Sequence, residues 1–212
     1  MMTGSGTLST EKQAMRRAVR ARRVERTDEQ KQQAETALAA AVLALEPIRA
    51  ARCVAVYASL PDEPGTGALR RGLRALGVRV LLPVVLEGTE VPTLDWALDT
   101  TELQPTGVLK LPEPTGERLG PDAVTQADVL LIPALAVDTT GLRLGRGRGY
   151  YDAALARLER SERSGHPALV LALVYDDELL DAGSSPVPAE PHDRRVDGVL
   201  TPVRKLVISS SA

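Results

Sequence analysis

Cys53-Val-Ala-Val-Tyr-Ala58 is a continuous apolar run of strand length, followed at once by the turn-like Leu60-Pro-Asp-Glu-Pro-Gly65. A strand with no polar alternation must be covered on both faces, as in a parallel sheet between helix layers. The next residues fit that requirement. Thr66–Leu76 reads as a helix ended by Gly77, and Val78–Val85 as a second buried strand, so the order is β-α-β and the pair is expected to be parallel with a right-handed crossover.

The same pattern recurs downstream. Asp128-Val-Leu-Leu-Ile-Pro-Ala-Leu135 and Ala168–Tyr175 are further buried strands, and Val196–Thr201 and Leu206–Ile208 supply short ones near the C-terminus. Upstream, Ser9 is expected to cap a helix running to about Arg26, with residues 1–8 as a disordered tail. Thr27-Asp-Glu-Gln30 forms a capping-box pattern that opens a second helix to about Leu45, with Ala34, Leu38, Ala41, Val42 and Leu45 on one stripe and a stop before Pro47. Residues 86–127, broken by Pro92, Pro105, Pro112, Pro114 and Pro121, read as loops with one edge strand at Val91–Trp96. The expectation is an α/β fold: a mostly parallel open sheet with helices on both faces and two N-terminal helices, in a single domain spanning 9–212.

Composition narrows the function classes. Hydrophobic residues make up 43% and charged residues 25% of 212 residues, the balance of a globular chain. A net charge of −2 argues against a surface made to coat nucleic acid, although residues 12–26 hold Lys12, Arg16, Arg17, Arg20, Arg22, Arg23 and Arg26 against Glu25 alone. The lone Cys53 fits a reducing compartment, and the chain lacks a membrane-length apolar run or a secretory signal, so a cytoplasmic location is expected. Phe is absent, which leaves the core to aliphatic side chains.

In open α/β sheets ligands sit at the carboxyl ends of the strands, which selects the loops Ser59–Thr66, Val137–Gly149 and Asp176–Asp193. The second contains Gly141-Leu-Arg-Leu-Gly-Arg-Gly-Arg-Gly-Tyr-Tyr-Asp152. Gly145, Gly147 and Gly149 permit positive φ and close approach of the backbone, Arg146 and Arg148 bring planar cationic donors, and Asp152 in the first turn of a helix over Tyr150–Arg163 is a carboxylate able to hold Mg²⁺ near phosphates. The stretch is neither a Walker A sequence nor a GxGxxG fingerprint. From these residues alone, a phosphate cradle, a tight structural corner and a non-specific RNA contact all remain open.

The stretch resembles the signature of the 5-formyltetrahydrofolate cyclo-ligase family, also called 5,10-methenyltetrahydrofolate synthetases. The resemblance continues through Lys12-Gln-Ala-Met-Arg16, Tyr57-Ala-Ser-Leu-Pro-Asp-Glu63 with Thr66, Leu82-Pro83, Glu113-Pro114, Pro133, His192-Asp193 and Val196-Asp197. It implies a NagB/RpiA-like architecture and an ATP-dependent closure of 5-formyltetrahydrofolate to 5,10-methenyltetrahydrofolate, with ADP and phosphate released and Mg²⁺ required. It places Lys12 and Arg16 on the phosphates, one above the other on a helix face. Arg143, Leu144, Gly145, Arg146, Gly147, Arg148, Gly149, Tyr150 and Tyr151 would surround ATP, with Arg146 through Tyr150 also near the folate, and Arg146, Arg148 and Tyr151 serving catalysis. Glu63 and Ala58 would contact the folate, and Asp152 and Asp193 the metal.

Arg20 and Arg23 extend the basic face as solvated structural residues, His192 is read as a second-layer or surface group, and Met15 and Val19 as the side of the first helix that packs on the core. The chain departs from the family at Val137-Asp138, where Phe-Asp is common. Rival readings are a catalytically inactive relative that binds nucleotide or RNA, and a sugar-phosphate isomerase-like protein needing no ATP. Reduced folate and ATP are the expected partners, with neither membrane nor nucleic acid, and a monomer is expected.

Overall fold

The buried apolar runs become the middle of one sheet. The computed structural model describes residues 4–100, 102–106, 111–160, 168–190 and 193–208, with side chains from residue 8 onward. In chain order the elements are α1 (Gly4–Glu25), α2 (Asp28–Leu43), α3 (Glu46–Ala50), β1 (Cys53–Val56), α4 (Gly67–Ala75), β2 (Arg79–Leu86), β3 (Thr93–Leu98), β4 (Leu103–Thr106), β5 (Leu111–Pro114), β6 (Val129–Pro133), β7 (Ala136–Asp138), β8 (Arg143–Leu144), α5 (Tyr150–Arg160), β9 (Leu169–Leu173), β10 (Leu179–Leu180), β11 (Gly198–Leu200) and β12 (Lys205–Val207). Two 3₁₀ turns, Pro121–Gln126 and Asp176–Glu178, complete the set.

The main sheet has seven strands in the order β12-β11-β9-β6-β1-β2-β3. Strands β2, β1, β6, β9 and β11 run parallel, and antiparallel β3 and β12 close the two edges. Alternate residues feed two layers, as strand geometry demands. Val54, Val56, Leu131 and Leu173 join Leu38 and Val42 of α2 and Leu69 and Leu73 of α4 on one face. Ala55, Leu130, Ile132 and Ala172 join Ala154 and Leu155 of α5 and Val124 on the other, so helices cover both faces.

The capping box forms as read: the Gln30 amide donates to Thr27 Oγ1 at 3.2 Å and the Thr27 amide to Gln30 Oε1 at 2.9 Å. Pro47 ends α2 and sits in the first turn of α3, where a missing N–H costs nothing. Three readings change. The first helix reaches back to Gly4, so residues 4–8 are helical rather than a tail before a Ser9 cap; once a helix is nucleated, each added residue gains a backbone bond. Residues 1–3 lie outside the described residues.

The proline-broken segment is more regular than loops. It holds edge strand β3, the hairpin β4–β5 and a 3₁₀ turn, and Pro105 faces Pro112 in the hairpin. In a two-stranded sheet both strands are edges, so prolines are tolerated there. The loop Val137–Gly149 also contains structure, because β7 and β8 pair antiparallel and β10 joins them in a small second sheet. Its core of Leu135, Ala136, Leu144 and Val187 receives Val19, with Met15 packed beside it, and so docks α1 on the face expected of it.

Among the described residues no helix is long and apolar enough to cross a membrane. One charge cluster ties α4 to the segment after β3: Arg70 donates through Nε and Nη2 to Asp99 at 2.9 and 2.6 Å, Arg74 donates to the same carboxylate, and the Asp99 side chain is buried. Removing one member of a buried ion cluster strands the others in a poorly solvating medium. Asp99→Asn is therefore expected to cost about 3 kcal/mol in unfolding free energy by chemical denaturation.

Candidate active site

Four segments meet above the carboxyl ends of β1 and β6, and each is fixed by its own polar groups. After β1, the Tyr57 hydroxyl donates to the Pro64 carbonyl at 2.8 Å, the Thr66 hydroxyl to the Tyr57 carbonyl at 2.8 Å, and the Leu60 amide to Glu63 Oε2 at 3.0 Å. This loop presents Asp62 and a buried Glu63. The glycine loop leaves β8 and runs into the N-terminus of α5, where first-turn N–H groups lack helical partners and attract anions. The segment before β11 brings Glu190 and Asp193, and α1 closes the arrangement with Lys12 and Arg16.

Ion pairs bind these segments to one another. Arg146 Nε donates to Glu63 Oε1 at 2.9 Å and Arg146 Nη2 to Asp62 Oδ1 at 2.6 Å, joining the glycine loop to the loop after β1. Arg16 Nε donates to the Gly145 carbonyl at 2.9 Å. Lys12 Nζ donates to Glu190 at 2.8 Å and Asp193 at 2.7 Å, and the Glu190 amide donates to Asp193 at 2.7 Å. Arg143 donates to the Asp152 carboxylate and to the Arg194 carbonyl.

These groups surround a cavity of about 330 Å³. Its lining is cationic in part, with Lys12, Arg16, Arg143, Arg146 and Arg148, and apolar in part, with Leu60, Pro83, Val85, Leu94, Leu111 and Pro112. Such a space suits a ligand that carries both anionic groups and a flat ring. Ala58, Gly145, Gly147, Gly149, Tyr150 and Tyr151 also line it, so the sequence-predicted residues converge. Leu144 lines it too, while its side chain also joins the small-sheet core and its carbonyl accepts from the Leu135 amide at 2.8 Å.

Burial would lower the pKa of Lys12, but hydrogen bonds and charge from Asp193 and Glu190 outweigh it and hold the ammonium above its ordinary value. The tie contributes in full below about pH 10.4 and is lost only as the pH rises through the folded pKa, so it persists across the neutral range. Burial lowers the pKa of Arg143, opposed by Asp152. Burial, helped by Glu63, drives the Tyr151 phenol far upward, which makes it a neutral donor and not a base. Asp152 and Asp193 line the same cavity, while among the described residues no three His, Cys, Asp or Glu side chains form a metal cluster. Each of the two carboxylates accepts from a cation, Asp152 from Arg143 and Asp193 from Lys12.

Sequence reasoning misplaced Arg23 and missed Glu190 and the hairpin wall. Arg23 is 1% exposed and paired with Glu178, not solvated, because α1 turns that position onto the body of the protein. Arg20 is exposed as read. Glu190 stands three residues before Asp193, a spacing that signals a shared turn, and Glu113 accepts from the Val85 amide at 2.7 Å to seat the hairpin. His192 lies outside the described residues.

Residues 8–202 match the model of the 5-formyltetrahydrofolate cyclo-ligase family. The 5-formyltetrahydrofolate cyclo-ligase of Mycolicibacterium smegmatis is 42% identical over 159 residues, covering 74% of this chain and 76% of that protein. The protein of the same name from Escherichia coli K12 is 28% identical over 184 residues, 87% of this chain and 96% of its own. The solution structure of Aquifex aeolicus 5,10-methenyltetrahydrofolate synthetase superposes with a TM-score of 0.76 at 22% identity, covering 95% of this chain and 94% of that one, which shows a shared fold.

The glycines of the loop are not equivalent. Gly147 has φ of +90° and a Cβ there would stand 3.2 Å from Arg16 Cζ, whereas Gly145 lies outside the positive-φ set and has nothing within 4 Å. Gly147→Ala is expected to cost about 1 kcal/mol and to displace Arg16, read as a lower melting temperature. Gly145→Ala should leave the melting temperature unchanged.

Proposed function

The chain belongs to the 5-formyltetrahydrofolate cyclo-ligase family, and on that premise we propose that it closes 5-formyltetrahydrofolate to 5,10-methenyltetrahydrofolate at the expense of ATP. The observation that carries this reading is the meeting of Lys12, Arg16, the glycine loop, Asp152, Asp193 and Glu63 around one cavity whose lining is otherwise largely apolar. The same reading includes a NagB/RpiA-like architecture, a single domain over 9–212 and a cytoplasmic setting.

An N-formyl group is a weak electrophile, so its oxygen must first be made part of a leaving group. The formyl oxygen attacks the γ-phosphoryl group and ADP departs. N10 of the folate then attacks the activated carbon and gives up its proton, which leaves with the phosphate as the C–O bond breaks and the ring closes. Phosphoryl transfer of this kind asks the protein for position and charge rather than a side-chain nucleophile.

Each role falls on a group already placed. Lys12 and Arg16 hold the outer face of the triphosphate, and the backbone N–H groups of the glycine loop and the start of α5 hold its inner face. Arg148 is exposed on that loop and neutralises the moving phosphoryl group. Arg146 is bonded to Glu63 and Asp62 and is part of the cradle. Asp152 and Asp193 would hold Mg²⁺, which supplies charge neutralisation on the phosphates when bound.

Glu63 keeps one lone pair free on each oxygen beyond its bonds from Arg146 and Leu60, enough to accept from adjacent ring N–H donors. Tyr150 and Tyr151 border the ring space. An RNA-binding reading draws less support, because most of the cations line a pocket in contact with carboxylates and not an open basic groove.

Purified protein mixed with 5-formyltetrahydrofolate and MgATP is expected to produce the near-ultraviolet absorbance of the methenyl product, and a folded sample with no ATP-dependent signal would overturn the reading. Asp152→Asn should keep the fold by circular dichroism and lose turnover on the order of 100-fold. Lys12→Ala, which removes a charged hydrogen-bond donor, should raise the KM for ATP by about 10-fold or more, measured by steady-state kinetics.

A further inference from the structure

The last turn of α1 contains a buried ion pair that the proposed chemistry does not use. Arg23 Nε donates to Glu178 Oε1 at 2.7 Å and Arg23 Nη2 donates to Glu178 Oε2 at 2.8 Å, in a two-pronged contact with 1% and 0% of the side chains exposed. The same Nη2 donates to the Ala134 carbonyl at 2.6 Å. Glu178 Oε2 also accepts from the Tyr175 amide at 3.0 Å, and the Tyr175 hydroxyl donates to the Glu63 carbonyl at 3.2 Å. Arg26 lies 4.2 Å from the centroid of the Tyr175 ring, pressing the ring from the α1 side.

One guanidinium thus fastens α1, the turn after β6 and the 3₁₀ turn after β9. Two of the residues it reaches, Ala134 directly and Glu63 through Tyr175, line the candidate active site. Along α1, at 1.5 Å per residue, Arg16 and Lys12 lie about 10 and about 16 Å from Arg23. A slip of α1 at Arg23 would carry both away from the glycine loop and from Asp193. A pair buried this deeply gains little net stability over apolar side chains of similar volume, which leaves its geometry as the property to account for.

We propose that Arg23, Glu178 and Tyr175 form a positioning clamp, which sets the register of α1 so that Lys12 and Arg16 meet the nucleotide phosphates and holds the Glu63 loop at the folate end. The identity of the two ligands rests on the function proposed above; the clamp itself rests on the contacts. Its residues touch neither ligand and act through Lys12, Arg16 and Glu63.

The double variant Arg23→Met with Glu178→Leu removes both charges while keeping volume, so it tests position without stranding a charge. The expected result is a folded protein with a lowered melting temperature, since the Tyr175 amide and the Ala134 carbonyl each lose a buried bond, with kcat at saturating ATP within about 3-fold and a KM for ATP raised at least about 10-fold. Arg23→Lys keeps the charge but not the fork, and should recover only part of the loss. Wild-type KM for ATP in the folded double variant would overturn the proposal.

Tyr175→Phe deletes a single hydroxyl and should raise the KM for the folate while leaving that for ATP unchanged; an unchanged folate KM would remove Tyr175 from the clamp. Amide hydrogen exchange over residues 12–16 gives a readout independent of turnover. It should accelerate at least about 10-fold in the double variant against an unchanged central sheet. If wild-type protein fails to turn over the folate, the proposed activity falls while the exchange result still decides the clamp, and unchanged exchange would overturn it.

Discussion

Five cations line one cavity, and their mutual repulsion is the constraint that the surrounding structure answers. Lys12, Arg16, Arg143 and Arg146 each meet an acceptor from a different segment of the chain: Glu190 and Asp193, the Gly145 carbonyl, Asp152, and Asp62 with Glu63. These contacts determine how the loop after β1, the glycine loop, the segment before β11 and α1 lie relative to one another. Without interleaved acceptors, like charges at this spacing would drive the segments apart.

The arrangement also explains why the parallel sheet carries so much of the design. Strands β1, β6 and β9 are fully apolar in their middles, so polar groups appear only where the strands end. Chemistry is then confined to one edge of the sheet. The small sheet of β10, β7 and β8 is a secondary device at that edge: it gives α1 a surface of Leu135, Ala136 and Leu144 to rest Val19 upon, beside the cationic residues that the same helix presents.

Much of this was legible in the sequence because it depends on local pattern. The apolar runs at 53–58, 78–85, 128–135 and 168–175 announced the parallel strands, and the Thr27–Gln30 box announced α2. The spacing of Lys12 and Arg16 placed both on one helix face, and the glycine loop with Asp152 marked the cavity. Arg23 could not be read this way, since whether an arginine is solvated or buried depends on Glu178, which lies 155 positions away. The hairpin β4–β5 was hidden for a different reason: proline normally argues against a strand, and only a sheet with no interior strand removes the objection. Gly145 shows the limit within the motif, where composition suggested three special glycines and backbone geometry demands special φ at Gly147 and Gly149 but not at Gly145.

The seat of α1 has a consequence for how the molecule is made. Its contacts with Glu178, Glu190 and Asp193 span 155, 178 and 181 positions of the chain. Contacts of such long range form late, after the intervening chain has been brought together. During synthesis the first helix leaves the ribosome with its charged face uncovered and waits for nearly the whole sheet to assemble before it can dock. A nascent chain halted short of Asp193 would lack the acceptors that seat Lys12, so completion of the fold and completion of the cavity become one late event.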